Sequence, residues 1–322
     1  MRILGFFCIG IIFLFLFREL WSNWTALKGY SWKWNWPLGL ISFAALTGSL
    51  FFLPWGLKEV LALLGHPLPY FRTCKILFAS LMAKYLPGGW WAFVGRAHFY
   101  RREGLTLPQA SVAVLMETLL VVTSGILVFS LFSLYPASLA GGGQKAFWVL
   151  LGGGCLALLH PFFLNLLLVL VEKIFKKPVM TLHFPYRRIG YPFFIFFLFW
   201  LGMGGSFWIL AGSLIGLKLA LLPQMVSAFA LSWILGFLSF ITPGGLGVRE
   251  GALTLLLTPS LPLYAAAALS LLSRIWWIGG EVLGLVVSLL WERRSQDEPR
   301  PWVKKEGPEW EPLSPPGKNR NF

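Results

Sequence analysis

Seven ionisable side chains stand in stretches that are otherwise apolar: Lys84, Arg96, Glu117, Arg249, Glu250, Arg274 and Glu281. A charge at membrane depth is costly to hold and is a functional candidate by default. Four of the seven are cations and three are anions, so together they carry one surplus positive charge. A site of that kind suits an anionic guest such as a phospholipid or a polyprenyl phosphate. Two of the cations follow a repeated turn: Pro87-Gly88-Gly89 precedes Gly95-Arg96, and Pro243-Gly244-Gly245 precedes Gly247-Val248-Arg249. Proline removes a backbone donor and Gly-Gly is flexible, so a helix should stop at each turn and a second should begin. Helices restarting near Trp90 and Leu246 would present unpaired N–H groups and a positive dipole end, a combination that binds phosphate. Arginine adds a permanently charged, bidentate fork. The expected substrate-binding residues are therefore Lys84, Gly88, Gly89, Arg96, Gly244, Gly245 and Arg249. Glu117, Glu250, Arg274 and Glu281 would balance charge and gate.

Arg274 and Glu281 are seven residues apart, hence on one helical face about 10 Å apart along the axis. That is too far for an easy bond between them, and Arg249 and Glu250 are the expected partners. A plainer alternative stands beside this one. Pro-Gly-Gly would merely let helices pack closely, Arg96 would pair with Glu117 for assembly, and the network would be structural. Trp90-Trp91 and Trp276-Trp277 read mainly as packing or lipid-facing pairs.

The elements that must position these residues follow from composition. Of 322 residues, 57% are hydrophobic and only 12% charged, where soluble domains carry about 25% charged residues. The polar surface that a soluble fold of this size needs is missing. The net charge of +14 would suggest nucleic acid in a soluble chain. Beside apolar runs it points instead to a membrane protein with its cations on the cytoplasmic side. The only aspartate is Asp297, and Cys8, Cys74 and Cys155 are few and far apart. No nucleophile constellation or ligand-spaced cluster is visible, so no catalytic residue, metal, disulfide or cofactor is expected.

Runs of about 20 apolar residues suffice to cross a bilayer. They occur at 3–24, 37–57, 108–134, 146–171, 191–216 and 263–291. The first is read as a retained helix rather than a signal peptide, since Arg18-Glu19-Leu20 replaces a small-residue cleavage site. Trp32, Trp34 and Trp36 form an interfacial belt before the second run. Pro161 should kink the fourth. The stretches 74–100 and 223–258, broken at their Pro-Gly-Gly turns, are expected as hairpins that enter and leave by one face, because such breaks are tolerated only where protein or a cavity covers them.

The expected architecture is thus an all-α integral membrane domain over 1–291, with six full spans and two oppositely oriented re-entrant hairpins forming an inverted repeat. A proline- and charge-rich tail, 292–322, should be disordered and cytoplasmic. With both termini inside, the inner segments hold 18 cations against 5 outside, or 11 against 5 without the tail, as the positive-inside rule requires.

At these residues the chain resembles a known family. The stretch Lys84-Tyr85-Leu86-Pro87-Gly88-Gly89, running on to Gly95-Arg96 and Arg102-Glu103-Gly104, is similar to the first signature of the lysylphosphatidylglycerol synthase transmembrane region. The second signature is resembled by Thr242-Pro243-Gly244-Gly245-Leu246-Gly247-Val248-Arg249-Glu250. Met116-Glu117 and Ser273-Arg274 stand where that family tends to carry an acid and a late arginine. The resemblance covers about 1–291. It implies a lipid flippase-like domain in a bacterial cytoplasmic membrane. The family's soluble aminoacyl-transferase domain has no room in the 31 residues after Trp291, so a stand-alone member is expected and its lipid need not be aminoacylated. The leading expectation is binding and translocation of an anionic lipid or lipid-linked precursor, with membrane lipid as partner and no nucleic acid. Two rivals remain: an intramembrane enzyme using Glu117 or Glu250 as general acid or base, and a non-catalytic partner of a lipid-modifying synthase, docking through the 172–188 loop or the tail.

Overall fold

A computed structural model of the chain describes residues 17–18, 21–22, 32, 34–85, 91–134, 142–176, 186–216, 218–239, 243–296, 303–304 and 310–311. Most of the expected 3–24 span, the Pro87-Gly88-Gly89 turn and most of the tail lie outside the described residues. Eleven longer helices are seen among them. These are α1 (Trp36–Leu50), α2 (Phe52–Leu63), α3 (Tyr70–Met82), α4 (Trp91–Arg102), α5 (Leu107–Ser133), α6 (Gly142–Leu158), α7 (Pro161–Phe175), α8 (Tyr186–Ile215), α9 (Leu222–Leu238), α10 (Val248–Leu257) and α11 (Leu263–Gln296). In the tail, β1 (Val303–Lys304) pairs antiparallel with β2 (Trp310–Glu311).

Local sequence sets the helix ends. The Asn35 side chain accepts from the Leu38 N–H at 3.2 Å, and Pro37 stands in the first turn of α1, where its missing donor costs nothing. Thr106 and Gln109 form the start of α5, the Gln109 side chain accepting from the Thr106 N–H at 2.9 Å. Gly104, at φ +96°, makes the left-handed turn between α4 and α5, a conformation glycine adopts without strain.

Five helical stretches are long and apolar enough to cross a membrane among the described residues: Trp36–Leu63, Leu107–Ser133, Arg188–Ile215, Leu219–Leu238 and Leu263–Trp291. Four coincide with expected spans. The expected 146–171 span is instead two helices, α6 and α7, separated at Leu159-His160. Proline denies the helix a donor and pushes the preceding residue out of the helical region, so Pro161 starts a helix rather than kinking one. The fifth long stretch, Leu219–Leu238, is the first arm of the segment expected as the second hairpin. Its one proline, Pro223, sits in the first turn of α9, where the missing donor costs nothing, and no glycine follows until Gly236, so the stretch extends to 20 residues.

Among the described residues α3 ends at Met82 and α4 begins at Trp91, α9 ends at Leu238 and α10 begins at Val248, and the two halves of the chain repeat one pattern. A helix, a break, a short helix and a tight turn lead into a long helix in α3–α4–α5, and again in α9–α10–α11. The arms of each broken segment pack on each other, α3 on α4 and α9 on α10, and the two short 3-10 turns at the breaks, Ala83–Tyr85 and Pro243–Gly245, touch.

Small residues carry the close helix approaches, as in membrane interiors where packing must replace a hydrophobic driving force. Gly125 on α5 lies under the Trp200 ring of α8, where an added Cβ would come within 2.7 Å, and Trp200 Nε1 donates to the Val121 carbonyl at 2.8 Å. On α8, Gly204 faces the Val226 backbone of α9 at 2.7 Å from where a Cβ would stand, whereas Gly205 beside it faces open space. Gly204→Ala is expected to lower the stability by roughly 1–3 kcal/mol through overpacking, and Gly205→Ala to leave it unchanged or raise it slightly. Thermal unfolding of both variants in one detergent checks the pair; equal effects would overturn the packing assignment.

Candidate functional site

The turn at Pro243–Gly245 depends on glycine. Gly244, Gly245 and Gly247 have φ of +58°, +70° and +82°, values that L side chains rarely adopt. An added Cβ on Gly245 would meet the Gly236 carbonyl oxygen at 2.7 Å, and one on Gly236 would meet the Arg249 Cβ at 2.8 Å. The chain therefore folds back onto α9 at contact distance, and α10 begins at Val248 directly beneath. Its first turn is capped by its own acid, since Glu250 Oε2 accepts from the Gly247 N–H at 2.7 Å. This corrects the expectation of an open helix start near Leu246: one of its donors is already held by a carboxylate. In the first broken segment α4 is described from Trp91 onward.

The buried charges meet where the breaks meet. Arg96 on α4 reaches Glu117 on α5 at 2.5 Å, and its Nε donates to Ser80 Oγ of α3 at 3.1 Å. Arg274 on α11 lies 3.5 Å from Glu250 on α10, and its Nη2 donates to the Gly244 carbonyl at 3.2 Å, so this side chain braces the second turn. Lys84, at the first break, is ion-paired to Glu281 of α11. Arg249 lays its guanidinium over the rings of Trp277 and Phe229, at 4.4 and 5.0 Å from their centroids, a favourable arrangement for a desolvated cation. Arg96, Glu117, Arg249, Glu250, Arg274 and Glu281 are all less than 9% exposed. Buried charges of this kind persist only when paired and hydrogen-bonded.

Lys84, Arg96, Glu117, Arg249, Arg274 and Glu281 border one cavity. Of the eleven residues singled out from the sequence, Lys84, Arg96, Glu117, Gly244, Gly245, Arg249, Arg274 and Glu281 line it. Glu250 stands behind Arg274, and Gly88 and Gly89 lie outside the described residues. Arg274 pairs with Glu250 as expected. Glu281 takes Lys84, which was not expected, because the first break brings Lys84 against α11.

Trp277 is the residue that sequence reasoning undervalued. Only 2% exposed, it donates from Nε1 to Glu281 Oε1 at 2.5 Å and offers its ring face to Arg249. The signal was present: positions 274, 277 and 281 follow the i, i+3, i+7 spacing of one helical face. Gly236 and Ser80 were also missed, the first hidden in a hydrophobic run, the second an ordinary small residue in a helix. Apart from Thr118 and Ser239 the remaining lining is apolar, with Phe93, Phe237 and Trp233 among it; the Trp233 and Phe237 rings stack 5.2 Å apart. Among the described residues no group of three or more His, Cys, Asp or Glu could hold a metal ion.

The chain matches no curated protein and no solved structure. A family model does match, and it spans residues 2–278, taking in both broken segments and every charged residue of the cavity except Glu281. The chain belongs to the family of the lysylphosphatidylglycerol synthase transmembrane region.

Proposed function

We propose that the protein binds the anionic headgroup of a phospholipid or lipid-linked precursor in this cavity and moves it across the membrane. One observation carries the reading: four cations and two carboxylates from α4, α5, α10, α11 and the first break line one cavity, with a third carboxylate, Glu250, paired to Arg274 behind the lining, inside a body built of long apolar helices. Arg96 and Arg249 hold the phosphate, with Lys84 and the Gly244–Gly245 turn beside them. Glu117, Glu250, Arg274 and Glu281 exchange ion pairs as the headgroup arrives and leaves. The aromatic wall takes the apolar end.

The same reading gives the broken segments their place. The arms α3 and α4 have 13 and 12 residues, or roughly 20 and 18 Å at helical rise, short of a hydrocarbon core of about 30 Å. They enter from the cytoplasmic side and return to it, and α9–α10 is their counterpart from the other face, in an inverted repeat with the site near the midplane. Both termini are cytoplasmic, in a bacterial inner membrane.

The test is headgroup translocation in proteoliposomes. Arg249→Ala is expected to slow it at least about tenfold, and Arg96→Ala with Arg249→Ala to abolish it. Arg249→Ala leaves each of the three carboxylates its ion pair, so it should remain folded. Unaltered translocation in the double variant would sink the site assignment, and a change in lipid mass during the assay would replace a transporter by an enzyme.

A further inference from the structure

We infer that the headgroup this cavity selects carries a single negative charge: a lipid phosphodiester with an otherwise neutral headgroup, rather than a phosphomonoester, a diphosphate or a zwitterion. The inference rests on the proposed lipid site and adds its charge class. Ion pairs join Lys84 to Glu281, Arg96 to Glu117 and Arg274 to Glu250, the last of which stands just behind the lining, and with Arg249 these seven groups carry a net charge of one. The neighbouring residues outside the described ones add nothing to this count, since 86–90 read Leu-Pro-Gly-Gly-Trp and 240–242 read Phe-Ile-Thr. All other lining side chains are uncharged.

In a low-dielectric interior, net charge is the quantity that must be cancelled, because each uncompensated ion retains its desolvation cost. One phosphodiester brings the cavity to neutrality. A phosphomonoester or diphosphate overshoots, and a zwitterion leaves the surplus standing. Selection by charge count predicts that altering the count alters the preferred ligand.

The experiment is competitive lipid binding to the full chain in phosphatidylcholine nanodiscs at pH 7, where a phosphomonoester already carries about −1.5 to −2, with dioleoylphosphatidylglycerol as the monovalent probe and dioleoylphosphatidic acid as the monoester. The native protein is expected to prefer the monovalent probe at least about tenfold over the monoester. Glu117→Gln and Glu281→Gln each raise the cavity to two positive charges and should erase or reverse that preference. Arg249→Gln lowers it to zero and should remove the preference for phosphatidylglycerol over phosphatidylcholine. Size-exclusion behaviour identifies which variants fold, and the two glutamine variants back each other up.

A native preference for the monoester would overturn the inference. So would a ratio that stays the same in both glutamine variants. Absence of any native preference for an anionic lipid over phosphatidylcholine would bring down the proposed function itself, a different outcome. Glycerophosphoglycerol, the same headgroup without tails, is expected not to compete at equal concentration; equal competition would reassign the site to a soluble phosphodiester.

Discussion

Arg96→Ala is expected to destabilise the protein by about 3–5 kcal/mol, and Glu117→Leu added to it to recover most of that loss. Both side chains are almost fully enclosed, joined at 2.5 Å, and the arginine also donates to Ser80. Truncating Arg96 alone leaves a carboxylate in a low-dielectric wall without its cation, and the cost is the desolvation of that group rather than the value of the pair. Removing both charges and filling the space with an apolar side chain takes away the attraction and the penalty together. Thermal or denaturant unfolding of the two single variants and the double variant forms a cycle with a strong coupling term expected. Losses that simply add would show that the two residues do not depend on each other. Lipid translocation separates stability from function: a recovered double variant should be folded yet slowed at least about tenfold, because the phosphate has lost one of its two arginines. A folded and active double variant would make the pair structural and nothing more.

Gly245→Ala carries the second large effect. The methyl group would press on the Gly236 carbonyl at 2.7 Å, and the residue already sits at φ +70°. Overpacking costs roughly 1–3 kcal/mol, and the left-handed backbone costs an L residue roughly 1–2 kcal/mol more. Relief requires the turn to move away from α9. That movement would carry the Gly244 carbonyl off Arg274 and shift Arg249, whose Cβ rests against Gly236. Gly245→Ala should therefore lose both thermal stability and lipid binding. Gly153→Ala, at a position facing open space, should lose neither. Retained binding in Gly245→Ala would mean that the turn geometry does not hold the site.

How much of this could be read in advance depends on the residue. Lys84, Arg96, Glu117, Arg249, Glu250, Arg274 and Glu281 stood out because a charge inside an apolar run is costly and needs a reason, and eight of the eleven residues named from the sequence do border one cavity. Pro243-Gly244-Gly245 was legible because only glycine tolerates the backbone conformation found there. Trp277 was not, because tryptophan is so common in this chain that its type carries little information; only its hydrogen bond to Glu281 and its ring under Arg249 mark it out. Gly236 was silent for the same reason, one glycine among 34. The split of 146–171 into α6 and α7 was half visible, as Pro161 announced a disturbance but not whether the helix would bend or end.

By itself the sequence determined the helical, membrane-embedded class and the positions of the charges and breaks. Those depend on local facts: hydrophobic run length, the absent proline donor, the freedom of glycine. Only the tertiary structure decided that Lys84 pairs with Glu281, that Glu250 caps its own helix while bridging to Arg274, and that the two breaks touch. Pairing among buried charges depends on distances between segments nearly 200 residues apart, such as Lys84 and Glu281. No spacing along one helix contains that information; it arises when α3, α10 and α11 pack and leave each charge only the partners within its reach.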